Sequence, residues 1–236
     1  RGKVTQDIRW SASIYEAVNH NDIQFIYSGT ASQGYFDNVG RTKRQGLDLG
    51  LSGTLDKFMW NANYSYIDAT FDSDLTIVSP ANDLADPVNK NIDVKKGNRL
   101  PGIAKHQFKL RTQYQVLPDW SVGANLIAYT SAFMFGNENN VSQGSVGSGK
   151  IPGYAVVNLD TQYNFGNSGW KVFAKAINVF DKDYLTTGRL AENSFTHAGN
   201  TFDTGGGHNA SFLSPGAPRA GWIGVRYEFG GTEKKD

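Results

Sequence analysis

Apolar and polar residues alternate with a period of two along most of this chain. In QFKLRTQYQV (107–116), Phe108, Leu110, Thr112, Tyr114 and Val116 alternate with Gln107, Lys109, Arg111, Gln113 and Gln115. YAVVNLDTQYNF (154–165) sets Ala155, Val157, Leu159, Thr161, Tyr163 and Phe165 against Asn158, Asp160, Gln162 and Asn164. FMWNANYSY (58–66) and the closing segment PRAGWIGVRYEF (218–229) repeat the pattern, the latter with Ile223, Val225, Tyr227 and Phe229 on the apolar side. Such alternation marks strands with one oily and one wet face, whereas a helix would repeat every 3.6 residues. Strands are expected near 7–18, 22–28, 35–54, 58–73, 105–116, 120–135, 151–165, 170–185 and 218–229. No stretch joins an N-cap to a sustained apolar stripe, so the fold class is all-β.

The links between these strands alternate in length. Residues 19–21, 55–57, 117–119 and 166–169 make tight turns, while 29–34, 74–104, 136–150 and 186–217 are mostly long and rich in Gly, Asn, Asp and Ser. Every long link therefore falls at one end of the sheet. A soluble sandwich has no reason to segregate them, whereas an outer-membrane barrel has short periplasmic turns and long extracellular loops. Trp60, Trp120, Trp170, Phe58, Phe165, Tyr227 and Phe229 lie beside the tight turns, where an interfacial aromatic girdle belongs. Nine strands is odd for a closed antiparallel barrel, so the sequence is expected to be a piece of a larger one.

Composition narrows this reading. The 236 residues carry a formal net charge of +1, which gives no basic field for nucleic acid. There is no cysteine, so thiolate metal sites and disulfides are excluded. The 27 glycines and 13% aromatic content suit strands and turns. No apolar run reaches the roughly 20 residues of a membrane-spanning helix, and a transmembrane barrel is hydrophilic on average because its strands alternate.

Five segments taken in order resemble the C-terminal barrel of TonB-dependent outer-membrane receptors: NVGRTKRQGLDLGL (38–51), LPGIAKHQFKLRTQY (100–114), PGYAVVNLDTQYNF (152–165), AINVFDKDYLTTG (176–188) and PGAPRAGWIGVRYEF (215–229). The most specific element is Asn178-Val179-Phe180-Asp181 with Tyr184, followed by Pro218-Arg219 and the strand closing on Phe229. The resemblance implies an antiparallel transmembrane β-barrel of 22 strands, a size class that encloses a plug. Residues 1–229 are then the C-terminal portion of the barrel, with the plug outside this chain, and 230–236 are a short polar tail. It also implies the bacterial outer membrane and energised uptake of a scarce nutrient, most often a ferric siderophore or related metal chelate. The partners it implies are the rest of the barrel and its plug, the TonB complex, and outer-membrane lipid and lipopolysaccharide. A plugless porin or adhesin barrel is the alternative.

No enzyme constellation and no intrinsic cofactor or metal motif stands out; any metal is expected to arrive as the transported chelate. The strand-top segment YTSAFMFGNENN (129–140) is the leading ligand candidate. On the parity of strand 120–135, Tyr129, Phe133 and Phe135 face the lumen and run into Asn137 and Glu138, a set suited to an amphipathic chelate. Arg99 and Arg189 on neighbouring loops suit an anionic ligand. His197 and His208 lie in the loop 186–217 and are further candidate contacts. Arg41, Lys43 and Arg44 sit on the outer part of a long strand; Arg41 and Lys43 are the expected contacts to lipopolysaccharide phosphates.

Overall fold

The computed structural model describes all residues except 28–33, 144–147, 197–198, 200, 206 and 230–236. In chain order the strands are β1 (Gly2–Lys3), β2 (Ile8–Asn19), β3 (Ile23–Tyr27), β4 (Gly34–Asn38), β5 (Thr42–Leu55) and β6 (Phe58–Phe71). There follow β7 (Leu75–Val78), β8 (Asn91–Val94), β9 (His106–Leu117), β10 (Trp120–Tyr129), β11 (Ala132–Phe133) and β12 (Lys150–Ile151). The last are β13 (Tyr154–Asn164), β14 (Trp170–Ile177), β15 (Leu185–Asn193), β16 (His208–Pro215) and β17 (Ala220–Tyr227). Nine of them form one antiparallel sheet in the order β1-β2-β5-β6-β9-β10-β13-β14-β17. The other eight form four separate hairpins, β3-β4, β7-β8, β11-β12 and β15-β16.

Each hairpin sits inside one link between neighbouring wall strands, and all four links leave the same end of the sheet. The wall contains nine strands, as the alternation predicts, with one exchange of membership. Residues 22–28 do not cross the wall: Ile23–Tyr27 pairs only with Gly34–Asn38, and β2 pairs directly with β5 from Ile8↔Gly53 to Asn19↔Thr42. The expected turn at 19–21 therefore belongs to the outer end, and the ninth strand is the stub Gly2–Lys3 against Trp10 and Arg9. The sheet is open, and its edge strands β1 and β17 run parallel to each other. Three expected strands also stop short. The segment 35–54 breaks at 39–41 between β4 and β5, 120–135 leaves the wall after Tyr129, and 170–185 leaves it after Ile177.

Local chemistry accounts for the turns. Asp56, at φ 51°, makes the two-residue connection between β5 and β6, because Asp tolerates the left-handed region that tight hairpins need. Pro118 cannot take a positive φ. The β9–β10 register accordingly slips by one residue beside Trp120, leaving Val116 as the extra residue.

Register then separates the two faces. Across the wall Trp60, Thr112, Ala124, Leu159, Ala176 and Gly221 lie in one row of the apolar face. The polar face carries Asn61, Arg111, Asn125 and Asn158 in the same way. At the turn end the apolar face ends in aromatics. Trp170 meets Tyr227 at 4.7 Å between ring centroids, Tyr227 meets Phe229 at 4.6 Å, and Tyr163 meets Phe165 at 4.9 Å. On the polar face Arg111 of β9 reaches over β10 to a bidentate pair with Asp160 of β13, Nη2 to Oδ1 being 2.8 Å. Gly123 makes that crossing possible, since a Cβ there would lie 2.5 Å from the guanidinium.

The buried apolar core lies in the outer links. Ile26, Val39, Phe71, Ile77, Ile92, Val94 and Leu100 form one cluster joining the first two hairpins to the end of β6. Ala81, Ala132, Met134, Ile151 and Leu190 form a second, joining the other two.

The Asn178–Asp181 segment and Pro218-Arg219 have a structural account. Asn178 is buried at φ 48° where β14 ends. Its backbone N–H donates to Asn158 Oδ1 at 2.9 Å, and its side-chain amide donates to the carbonyls of Lys182 and Ala217 at 2.9 and 3.1 Å. Its own Oδ1 accepts from Lys182 N–H at 2.9 Å. Asp181 accepts from the Arg219 backbone N–H at 3.0 Å and pairs with its guanidinium. One amide and one carboxylate thus tie both ends of the link 178–219 to the wall. Tyr184 lies flat on Gly216, where any side chain would overlap its ring, while Phe180 is exposed.

Candidate ligand-binding cavity

Two adjoining cavities open where the polar face of the wall meets the outer links. The outer one, about 880 Å³, is walled by Phe25 and Phe36 of the first hairpin, Phe135 of the third link, and Arg189 and Phe212 of the fourth, with Arg44 at its base and Glu138 beside Phe135. The inner one, about 560 Å³, holds Tyr15, Gln107, Tyr129 and Tyr154, and shares Arg44 and Ile103 with the outer. The Tyr154 ring lies tilted against Tyr129 and Tyr184, with centroids 5.3 and 4.5 Å away. Aromatic faces therefore run from the outer links down onto the wall, with arginines between them.

Strand pairing sets each of these side chains. Residues Thr42 and Arg44 share the polar face with Asp48 because β5 alternates strictly. The Arg44 guanidinium donates to Thr42 Oγ1 at 3.0 Å and to Asp22 Oδ2 at 3.1 Å. Burial pushes the Asp22 carboxyl up, but the Thr42 hydroxyl and Arg44 outweigh it and hold the group below the usual carboxylate range. Phe135 is bound to β15 by its N–H to the Gly188 carbonyl at 3.1 Å, and by its own carbonyl, which accepts from Leu190 N–H at 2.8 Å. This brings Phe135 and Arg189 side by side. The Arg189 guanidinium lies 5.9 Å from the centre of the Phe25 ring.

The segment 134–142 is a knot of amides. Asn137 is fully buried; its Nδ2 donates to the carbonyls of Ser142 and Gly149 at 3.0 and 2.9 Å, and its Oδ1 accepts from Ser142 N–H at 3.0 Å. Asn140 exchanges bonds with the Arg99 backbone, at 2.5 Å to its N–H and 3.0 Å to its carbonyl. The Gly136 carbonyl accepts from Ser79 Oγ at 2.9 Å and Asn82 Nδ2 at 2.8 Å. Glu138 Oε1 accepts from Gly136 N–H at 2.9 Å, and Oε2, itself buried, has no partner among the described residues. Burial pushes the Glu138 carboxyl above the usual carboxylate range, against the Gly136 N–H, which pulls it down.

Of the residues singled out from the sequence, Phe135, Glu138 and Arg189 come together in the outer cavity, and Tyr129 lines the inner one. Because the wall strand ends at Tyr129, strand parity does not carry through to Phe133. That ring is buried, with Lys150 Nζ 4.7 Å and the Arg99 guanidinium 5.7 Å from its centre. Asn137 holds the backbone and does not line either cavity. His208 stands on β16 opposite Asn193, away from both cavities, and His197 lies outside the described residues. Arg41 pairs with Asp72, which Lys96 also reaches at 2.9 Å. Lys43 faces outward and meets Glu16 at 2.7 Å. Arg44, grouped with these two in sequence, turns inward instead. Its opposite parity to Lys43 was the available signal. Phe25, Phe36 and Phe212 carry no local signal, since long-range pairing delivers them. Among the described residues no group of three or more His, Asp or Glu is placed to hold a metal ion.

A family model for the TonB dependent receptor-like β-barrel matches residues 3–179. The chain belongs to this family. It is therefore part of a β-barrel of the bacterial outer membrane. It is 31% identical over 154 residues, 64% of this chain, to a probable TonB-dependent siderophore receptor, PiuA, of Acinetobacter baumannii. It is 26% identical over 155 residues, 65% of this chain, to the metal-pseudopaline receptor CntO of Pseudomonas aeruginosa. The matched parts are 18% and 19% of those two proteins, so the chain spans about a fifth of each. Among solved structures, the siderophore receptor PiuA from A. baumannii superposes with a TM-score of 0.64 at 21% identity, covering 94% of this chain and 26% of that one. The ferric-catecholate import receptor Fiu from E. coli K12 gives 0.56 at 20% identity, covering 94% and 25%. At these identities the superpositions speak for the fold alone.

Proposed function

We propose that this chain forms wall and outer loops of a TonB-dependent receptor that takes up a ferric siderophore or a related metal chelate. On this reading the hairpin-bearing links are extracellular and the tight turns periplasmic. The observation that supports it is the outer cavity, where four phenylalanines and two arginines converge on the polar face, directly above the inner tyrosines. Aromatic walls suit the flat organic part of a chelate and arginines its acidic part. A third hollow, of about 870 Å³, crosses the apolar face over Thr112, Ala124, Ala174, Ala176 and Gly221. It faces hydrocarbon in this arrangement, so it is assigned to lipid and not to the nutrient. Lys43, Arg41 and their acidic neighbours stand at the outer rim, where lipopolysaccharide phosphates meet the protein. The plug and the TonB complex are the partners through which uptake would be energised.

The test uses the full-length receptor, purified in detergent and titrated with ferric chelates by tryptophan fluorescence. Phe135→Ala is expected to weaken binding by up to tenfold, from the loss of one aromatic contact of about 0.5–1.5 kcal/mol. A set of chelates bound with equal affinity by wild type and Phe135→Ala would remove the cavity from consideration.

A further inference from the structure

The second hairpin has two faces of opposite chemistry. Ile77, Ile92 and Val94 point into the first core cluster, while Thr76 and Asp93, paired across β7 and β8, stand on the other face. That outer face, the turn 86–91 and the segment 139–141 of the third link enclose a hollow of about 710 Å³. It shares no lining residue with the outer or the inner cavity.

The hollow is lined by polar groups that the fold fixes in place but does not saturate. Asp86 Oδ1 accepts the N–H groups of Val88 and Asn89, both at 2.9 Å, and the Asp86 N–H donates to the Asn91 carbonyl at 2.8 Å. Asn89 Oδ1 accepts from Asn91 N–H at 2.9 Å, and Asn98 Oδ1 from Lys95 N–H at 2.7 Å. Asp93 Oδ1 accepts from Thr76 Oγ1 at 3.0 Å. Among the described residues, Oδ2 of Asp86 and Asp93 and Nδ2 of Asn89 and Asn98 are left open, and the Asn91 side chain makes no hydrogen bond at all. These groups can be reached: Asp86, Asn89 and Asp93 are exposed, and neither Asn91 nor Asn98 has a buried unpartnered atom.

That lining selects a class of ligand by its chemistry. A metal ion is not matched, since no three acids converge among the described residues. An anion meets Asp86 and Asp93 with only Lys95 to offset them, and Lys95 already lies 3.4 Å from Asp74. No aromatic ring lines the hollow, so it is no second version of the cavity around Phe25 and Phe135. Open carboxylate oxygens interleaved with open amide N–H groups do match a row of hydroxyls, each of which donates and accepts. Leu84 and Val141, which also line the hollow and are 59% and 55% exposed, offer apolar contact to the C–H face of a sugar ring.

We propose that this hollow is a saccharide-binding site for neutral sugars, separate from the chelate cavity. Side chains already pinned at one end lose little conformational freedom on binding. Two sources present such sugars to an outer link: the lipopolysaccharide glycan around the receptor, and free oligosaccharide arriving from outside.

The experiment screens the full-length receptor, purified in a detergent without a sugar headgroup, by saturation-transfer NMR against two sets of probes. One is the oligosaccharide of the producing bacterium's lipopolysaccharide, freed of acyl chains and phosphates. The other is a panel of short neutral oligosaccharides of glucose, galactose, mannose and N-acetylglucosamine. At least one probe is expected to bind saturably, with Kd on the order of 1 mM for a site built on exposed hydrogen bonds. Binding confined to the first set assigns the site to the membrane's own glycan, and binding in the second to an external one; either upholds it. Asn91→Ala removes no internal side-chain bond, and Asp93→Asn keeps an acceptor for Thr76. Each should weaken sugar binding roughly three- to tenfold, the loss of one hydrogen bond, with hydrogen exchange in 72–105 unchanged. Phe135→Ala, in the outer cavity, should leave sugar binding intact. The proposal is overturned if no probe binds, if both Asn91→Ala and Asp93→Asn bind as wild type does, or if Phe135→Ala abolishes the sugar signal.

Discussion

The wall and the outer links of this chain are built from the same strands and turns but held together by different physics. Wall strands lie in a single layer with no hydrophobic core of their own. Leu49 remains 42% exposed in the middle of β5, and Ile223 and Val225 of β17 are more exposed still. Those side chains are matched to hydrocarbon, so the wall's order comes from ladder hydrogen bonds and from cross-strand side-chain rows. The links, together with the strand ends they cover, behave like a small water-soluble protein. Phe71 at the end of β6 and Val94, Met134 and Leu190 of the links are almost wholly enclosed, and amides such as Asn82 and Asn137 close the backbone groups that no ladder reaches. A substitution of one kind should therefore have opposite consequences in the two regions.

The largest such difference is expected at Phe71, only 1% exposed in the cluster joining the first two hairpins. Phe71→Ala should destabilise the links by about 3–5 kcal/mol, the usual result of emptying an aromatic site in a packed core. Hydrogen exchange on the full-length receptor should show faster exchange in 20–41 and 72–105 with β9, β10 and β13 still protected. Loss of protection throughout the wall would mean that the two regions are a single cooperative unit. The reverse test is at Leu49. Leu49→Arg should lower barrel stability by about 2–4 kcal/mol through the cost of a cation in hydrocarbon, while the outer cavity keeps its affinity for ligand. If Leu49→Arg is silent in folding assays in lipid vesicles, the apolar face does not meet the bilayer.

The same contrast decides what could be read in the sequence. Alternation in Phe108–Tyr114 or Val157–Tyr163 places every side chain on its face, because each wall residue sees only two environments, oil or lumen. That local rule also holds for the start of Ile23–Tyr27 and therefore misplaces it, since Ile23, Gln24 and Phe25 alternate as a wall strand would while pairing only within a hairpin. Alternation says that a strand exists, not which strand is its neighbour. The site divides in the same way. Phe135, Glu138 and Arg189 were legible as aromatic and charged groups at strand tops. Phe25, Phe36 and Phe212 reach the cavity only through folding of two separate links, the first and the fourth. Asn137 looked like a ligand group because it is polar and in a loop. A compact turn needs internal amides for its own backbone, and Asn137 serves that need.

The smallest expected effect lies at the seam between the two regions. Asp22 joins the first hairpin to the wall: its N–H donates to the Gly40 carbonyl at 2.9 Å, and its carboxylate takes Thr42 Oγ1 at 2.6 Å and Arg44 at 3.1 Å. Its carboxyl titrates below the unfolded value near 3.9. For an acid with a depressed folded pKa, the unfolded state takes up the proton first as pH falls. The stabilisation is thus present in full above about pH 4 and is lost as pH drops through the folded pKa. Asp22→Asn should then cost the first link about 1.5–3 kcal/mol at pH 7, the range for a hydrogen bond to a charged group, and nothing once the wild-type group is protonated. Exchange in 20–41, measured for both proteins across that interval, should converge at the acid end. Because Arg44 is a wall of both cavities, ligand affinity should fall alongside. A deficit in Asp22→Asn that is the same at every pH would show that the carboxylate charge does not hold Arg44 in place, and that the seam rests on the Thr42 hydroxyl and the backbone alone.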